Sequence, residues 1–399
     1  MKRKLLVSLL LLNLNWLIFV GFSLAQNVGT EVEVATPSTS SIASTSVERV
    51  IKLGTSCALK GISSYLGKEY VGGLKAYINL VNARGGIEGY NIKLIAYDDG
   101  YEPGKCRINT IKLLDNDKVL ALVCFTGTPT SKVALPLAEK KGVPFLFPYS
   151  GASFLRKSKV AFCLRASYVE EMVALCKFFK DMGLKKVAVF YQDDSFGRAG
   201  LGGVREGLKI TGLKLIGEAI YGRNNPEVMA EAFYIADLNP DAVLYIGTFY
   251  QALNFIRYTC FTRADTRFGV ISFANPVEIM KRLRCASNRV YGVSCVPSPY
   301  DEGLPIVAEY RKNIGSVRIS PISLEGYMAG KVLIAGLRKA LREFGKPTRK
   351  ALLKVFQNLN VDLGGIRAIF SPEDHQALHR VWILGERSGK IETLRSYGR

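Results

Sequence analysis

Histidine is nearly missing from this chain: His375 and His379 are the only two in 399 residues. Their spacing would share a helix face, but they follow Ser371-Pro372-Glu373-Asp374, which reads as a turn between strands, so no metal pair is expected there. The sequence has no Gly-x-x-x-x-Gly-Lys-Ser/Thr phosphate loop, no Gly-x-Ser-x-Gly elbow, no His-Glu-x-x-His helix and no Cys-x-x-Cys pair. Those absences remove the motif-borne routes to nucleotide hydrolysis, serine acyl transfer and zinc chemistry. No catalytic residue and no cofactor is therefore assigned. A run of lysine and arginine interleaved with aromatics is also missing from the folded region, so the net charge of +20 does not read as a nucleic-acid surface. It reads as contact with an anionic membrane surface or as the style of the source proteome.

What the chain does have is ordinary for a folded protein. A composition of 48% hydrophobic and 22% charged residues is globular, and the length favours two lobes over one domain. Lys2-Arg3-Lys4, the apolar stretch Leu5 to Phe22 and Ser23-Leu24-Ala25 read as a signal peptide over residues 1–25, with an uncleaved N-terminal anchor as the alternative. Export to the periplasm or another extracytoplasmic space follows. Residues 26–48, rich in Ser and Thr, read as a flexible tether. All eight cysteines lie beyond the signal region. Cys106 with Cys124, or Cys285 with Cys295, are candidate bridges whose connectivity spacing does not decide.

From Val50 onward short apolar strands alternate with longer amphipathic helices. The pattern predicts strands at Val50 to Cys57, Ile92 to Asp98 and Val119 to Cys124, with helices at Tyr70 to Asn82, Pro103 to Asn116 and Ser131 to Lys141. A second set of the same kind begins after Arg165. Toward the C-terminus a helix is expected over Ser320 to Phe344, broken or capped around Gly330 and Gly336, and strands follow at Ile366 to Phe370 and His379 to Leu384. This βα order gives an α/β fold: two Rossmann-like lobes with parallel central sheets, whose strand-end loops form one cleft.

Three loops are candidates for ligand contact. Thr126 to Ser131 follows a strand and opens a helix, so its hydroxyls and free N–H groups suit a carboxylate, or an ordinary helix cap. Tyr149-Ser150-Gly151-Ala152-Ser153 lets backbone approach a ligand, or makes a plain turn. Thr248-Phe249-Tyr250 presents an aromatic lid, or packs its own helix. Asp98-Asp99 and Asp193-Asp194 each follow a strand, where paired carboxylates serve acid–base work, receive an ammonium group or cap a helix.

In order along the chain, Gly61-Ile62-Ser63-Ser64-Tyr65-Leu66-Gly67, Asn82-Ala83-Arg84-Gly85-Gly86-Ile87, Tyr97-Asp98-Asp99-Gly100-Tyr101-Glu102-Pro103, Gly127-Thr128-Pro129-Thr130, Arg165-Ala166-Ser167-Tyr168, Asp193-Asp194-Ser195-Phe196-Gly197 and Phe370-Ser371-Pro372-Glu373-Asp374 resemble the type I periplasmic binding proteins of the leucine/isoleucine/valine-binding class. The resemblance runs from about Val50 to Leu384. It implies a three-connection hinge near Arg165, Val296 and Asp374, with lobe 1 over 49–165 and 297–374 and lobe 2 over 166–296 and 375–399. It implies capture of a small polar solute, an amino acid of branched-chain type or a related compound, for the membrane permease of an ABC transporter, with no chemical step. A sensor or receptor ectodomain of the same fold is the alternative. The ligand set it implies is Tyr65, Thr128, Ser150, Gly151, Ala152 and Tyr168, joined by Phe249 and Tyr250. Branched-chain binders carry an acidic residue after the strand at Phe268 to Ile271, where this sequence has Ser272-Phe273. Ser272 therefore joins the set, and either Asp193 or Asp194 replaces the counter-charge or the ligand lacks that charge.

Overall fold

The computed structural model describes residues 49–283 and 286–398. The expected signal segment 1–25, the tether 26–48 and Cys285 lie outside the described residues.

Five strands, β1 (Arg49–Cys57), β2 (Tyr90–Asp98), β3 (Ala121–Val123), β4 (Phe145–Leu146) and β5 (Ala161–Phe162), form a parallel sheet in the order β2-β1-β3-β4-β5. A second sheet contains β6 (Lys186–Gln192), β7 (Lys214–Tyr221), β8 (Ala242–Ile246), β9 (Arg267–Val270) and β10 (Val290–Ser294). A two-stranded ribbon of β11 (Asn360–Asp362) and β12 (Arg367–Ile369) precedes β13 (Val381–Arg387) and β14 (Lys390–Tyr397). The last two close the second sheet in the order β14-β13-β10-β9-β8-β6-β7, antiparallel at that edge only. Every residue of β8 is buried, as expected for a central parallel strand covered by helices on both faces.

The helices are α1 (Ser64–Asn82), α2 (Pro103–Asp115), α3 (Thr128–Lys140), α4 (Ser153–Arg156), α5 (Tyr168–Asp181), α6 (Ser195–Thr211), α7 (Met229–Asp237), α8 (Phe249–Thr262), α9 (Pro276–Arg282), α10 (Pro305–Asn313), α11 (Pro321–Phe344) and α12 (Arg349–Phe356). The expected break at Gly330 and Gly336 does not occur: α11 runs unbroken from a Ser320/Ser323 capping box to Gly345 in the left-handed conformation. Its glycines serve packing. A Cβ on Gly326 would lie 1.9 Å from the Tyr70 carbonyl, and one on Gly73 would lie 2.0 Å from that of Ser323. Helices α1 and α11 thus cross backbone to backbone, which returns the C-terminal helices to the first sheet.

Strand alternation and one break in it separate two of the cysteines. Leu122 and Phe145 belong to the hydrophobic cluster beneath α2 and α3, whereas Val123 and Leu146 join the larger core, because successive side chains leave opposite faces of a strand. Cys106 lies in the first cluster; Cys124, just past the end of β3 with φ +54°, breaks the alternation and joins Val123 in the second. The candidate Cys106–Cys124 bridge is therefore absent, and both thiols are free.

In each sheet the strand order reverses once, between β1 and β3 and between β6 and β8. A crevice forms at such a point beyond the carboxyl ends of the strands.

Candidate functional site

The loop after β3 enters α3 through Gly127, whose φ of +104° lies in the region that favours glycine. A Cβ there would stand 2.4 Å from the Tyr101 ring. Helix α3 begins at Thr128, a turn earlier than expected, with Pro129 in its first turn. The loop after β4 runs alongside: the Gly127 N–H donates to the Tyr149 carbonyl at 3.2 Å, and the Tyr149 N–H to that of Phe125 at 2.7 Å. This pairing sets Thr128 Oγ1 2.7 Å from Ser150 Oγ, both buried. Ser150 Oγ also accepts the Ala152 N–H at 3.3 Å. Gly151 has no side chain because Tyr168 occupies that space. A Cβ would stand 2.5 Å from the Tyr168 ring, and the Gly151 carbonyl accepts the Tyr168 N–H at 2.9 Å.

Tyr168 opens α5 from the second sheet's side. Its hydroxyl is buried beside Thr128, and burial pushes it up to about 12, against the nearby Arg165 and Thr128 that pull it down. Among the described residues that hydroxyl has no hydrogen-bond partner. A buried, unanswered donor costs stability unless something else meets it.

Across the cleft, the turn after β8 is held by two tyrosines. Tyr221 Oη accepts the Thr248 N–H at 2.9 Å, and Tyr245 Oη donates to the Thr248 carbonyl at 2.8 Å. The turn presents Phe249, whose N–H donates to Tyr65 Oη at 3.0 Å, and Tyr65 Oη in turn donates to the Phe273 carbonyl at 3.2 Å. The Tyr65 and Phe249 rings meet edge to face at 5.8 Å. A second contact lies at Asn224, which donates to Glu102 Oε1 at 2.7 Å and accepts from Ser63 Oγ at 2.9 Å.

Phe273 fills the middle. It sits in a single turn after β9 that ends at Asn275 with φ +57°. Its fully buried ring packs at 4.7 Å on Phe196, 5.3 Å on Tyr149 and 6.0 Å on Tyr101.

Beneath these rings lies a buried ionic group. The Arg165 guanidinium stacks 4.2 Å over Tyr149, stands 3.4 Å from Glu325 and 3.7 Å from Glu171, and donates to Ser272 Oγ. Glu171 also accepts the Ser272 N–H at 3.0 Å. Burial raises the Glu325 carboxyl to about 7 even with the Arg165 charge beside it. Arg165 Nε and Nη1 make no hydrogen bond among the described residues.

The structure therefore gathers Tyr65, Thr128, Ser150, Gly151, Ala152, Tyr168, Phe249 and Ser272 around one place. Tyr250 reaches it only at the rim: it is exposed, its ring 5.0 Å from Phe249. A cavity of about 440 Å³ opens on the Tyr65–Phe249 side alone, lined among others by Tyr65, Glu69, Phe249, Tyr250 and Arg318 and by none of Thr128, Ser150, Gly151, Ala152, Tyr168 and Ser272. Asp193 does not join. It is exposed and paired with Arg198 at 3.0 Å, while Asp194 turns inward, caps α6 and accepts from Gln192 Nε2 at 2.6 Å. Asp98 does the work of a cap, accepting N–H groups of Leu59, Lys60 and Gly100. His375 and His379 share no helix. His379 lies between Glu170 at 2.8 Å and Asp374 at 2.9 Å.

Sequence reasoning missed Glu171, Glu325 and the filling role of Phe273. One signal pointed there: Arg165 is a lone charge at the end of the apolar run Val160-Ala161-Phe162-Cys163-Leu164, and such a residue needs buried partners.

The chain is similar to several known proteins. A "possible leucine/isoleucine/valine-binding protein" from Rhodopirellula baltica SH 1 superposes with a TM-score of 0.80 at 31% identity, covering 87% of this chain and 97% of that one. A solute-binding protein from R. palustris, solved in complex with benzoate, has the same fold, with a TM-score of 0.76 at 19% identity over 86% of this chain and 95% of its own. The Leu/Ile/Val-binding protein homolog 7 of Brucella suis biovar 1 is 23% identical over 312 residues, 72% of this chain and 77% of the relative. The family model described as "Periplasmic binding protein" matches residues 50–389. The chain belongs to the periplasmic binding protein family.

Proposed function

We propose that this chain is the extracytoplasmic solute-binding component of an ABC transporter and that it performs no chemical step. Lobe 1 (49–165 and 297–374) and lobe 2 (166–296 and 375–399) close by a hinge at Arg165, Val296 and Asp374 around a small polar solute, and the closed face is what a membrane permease recognises. The observation that carries this reading is the pair of hydrogen bonds at Tyr65 Oη, which accepts the Phe249 N–H and donates to the Phe273 carbonyl across the cleft. Hydroxyls and backbone N–H groups at the start of α3 suit a carboxylate. An amino acid of branched-chain type is the solute printed in the names of the Rhodopirellula and Brucella relatives, and it heads the compounds to test. The R. palustris protein was solved with benzoate, so organic acids belong beside it.

Isothermal titration of the purified chain with amino acids and small organic acids tests the reading. Binding tighter than about 1 mM, worth about 4 kcal/mol, supports it. Failure of every compound to reach that level contradicts it.

A further inference from the structure

The chemistry around the cleft narrows the solute beyond small and polar. Three hydroxyls converge: Thr128 Oγ1 and Ser150 Oγ, 2.7 Å apart, and the buried Tyr168 Oη, which has no partner among the described residues. Behind Tyr149 the buried Arg165 guanidinium is already held by Glu325 at 3.4 Å and Glu171 at 3.7 Å, so its charge is spent inside the protein. The hydroxyl donors are what suits a carboxylate at this end.

The opposite charge finds no match. An ammonium group taken out of water needs a carboxylate of its own. Glu171 and Glu325 are committed to Arg165, at 3.7 and 3.4 Å. Asp194 caps α6 and holds Gln192. Asp193 points to solvent with Arg198. At the mouth, Glu69 accepts from Ser320 Oγ at 2.6 Å and Asn275 Nδ2 at 3.2 Å, and Glu278 pairs with Arg282 at 2.7 Å and Arg318 at 3.0 Å, while buried Asp99 accepts from Ser56 Oγ at 2.7 Å and the Tyr101 N–H at 2.9 Å.

The middle of the cleft is filled by the Phe273 ring, packed against Tyr149, Phe196 and Tyr101. A solute that reaches the hydroxyls must lie against that ring or replace it among the other three. A flat apolar body keeps the ring-on-ring contacts in either case, whereas a branched aliphatic body does not.

We infer that the cleft takes a small carboxylic acid with a flat, aromatic body and no ammonium group, and that Phe273 sets this preference. The inference rests on the solute-binding reading above.

Matched pairs separate the two. The full-length exported chain, dialysed free of solute, is titrated with phenylpropanoate against phenylalanine and with isocaproate against leucine; the members of each pair differ by the ammonium group alone. Phenylpropanoate is expected to bind about 100-fold tighter than phenylalanine, two decades of Kd, and tighter than isocaproate. Phenylalanine or leucine binding as tightly as its deaminated partner overturns this inference and leaves solute binding standing. Isocaproate binding as tightly as phenylpropanoate overturns the aromatic part. No binding by any of the four, with binding by another small solute, overturns the class; no binding by any solute overturns the reading beneath it.

Two variants test Phe273. Phe273→Asp supplies a carboxylate and is expected to narrow the phenylpropanoate/phenylalanine ratio about tenfold. Phe273→Leu, the milder change, is expected to weaken phenylpropanoate about tenfold while sparing isocaproate. Folding of each is checked by thermal unfolding. Unchanged ratios in whichever variant folds remove Phe273 from its assigned role.

Discussion

Tyr65 Oη accepts the amide proton of Phe249 at 3.0 Å from the opposite side of the cleft. The same oxygen donates to the Phe273 carbonyl at 3.2 Å, so one side chain ties two turns of the second sheet to the start of α1. Tyr65→Phe keeps the ring and removes both bonds. The Phe249 N–H is left without its acceptor, at a cost of about 1–3 kcal/mol. Solute affinity is expected to fall about tenfold or more, and the unfolding midpoint of the solute-free protein to fall by a few degrees, as measured by titration and by thermal unfolding.

Arg165 carries a different load. Its side chain is buried against Glu171 and Glu325, and removing one member of such a group leaves charge without compensation. Arg165→Met is expected to cost about 3–5 kcal/mol in chemical denaturation. Adding Glu171→Gln and Glu325→Gln to the same chain should recover much of that loss, because the triple change removes the orphaned charges together.

Stability should fall as pH rises from mild acid to neutral. His379 is raised above its ordinary 6.5, chiefly by its hydrogen bond to Glu170. The folded chain therefore holds that proton more tightly than the unfolded one. The stability it supplies is complete below 6.5 and is lost as pH climbs through the folded value. Glu69 and Glu325, raised by burial from 4.5 to about 7, act in the same direction between those limits. Glu170 opposes at the acid end. Burial would raise it, but hydrogen bonds from His379, Ser167 and Gln376 hold it down to about 2, so its share is complete above 4.5 and lost as pH falls toward 2. Unfolding midpoints across this range check the sign, and His379→Gln should flatten the part of the slope above 6.5.

Gly151 has room for nothing larger. Its missing Cβ would stand 2.5 Å from both the Tyr168 ring and the Tyr168 backbone nitrogen. Gly151→Ala is expected to cost about 1–3 kcal/mol by overpacking. It should also lower solute affinity about tenfold or more, since Ser150 and Tyr168 both move with it. Titration and denaturation of the same preparation read the two effects.

Much of the fold was legible because strand and helix periods differ and the chain alternates them cleanly. The expected helix at Ser131 to Lys141 was placed late because Thr128 and Pro129 read as loop chemistry, yet both are compatible with a first helical turn, where Pro gives up no needed donor. Short pieces such as α4 and α9 carry too little periodic pattern to be seen. The break expected in α11 failed because Gly330 and Gly336 are small for tertiary reasons, lying against Tyr77 and Phe356, and local sequence does not reveal what a helix packs on. At the cleft, loop residues such as Thr128, Ser150 and Gly151 announced themselves by type. Glu325 did not. It comes from the far end of the chain, inside a long helix, and only the fold brings it to Arg165.

Hydrogen–deuterium exchange with and without a pool of aromatic acids and amino acids at millimolar concentration tests the shared cleft most directly. If one solute is gripped by both halves, peptides containing Thr128 and Ser150 should gain protection together with those containing Phe249 and Phe273, and to a similar degree. Protection confined to one of the two sets, or found in neither, would contradict a cleft that closes around a small solute.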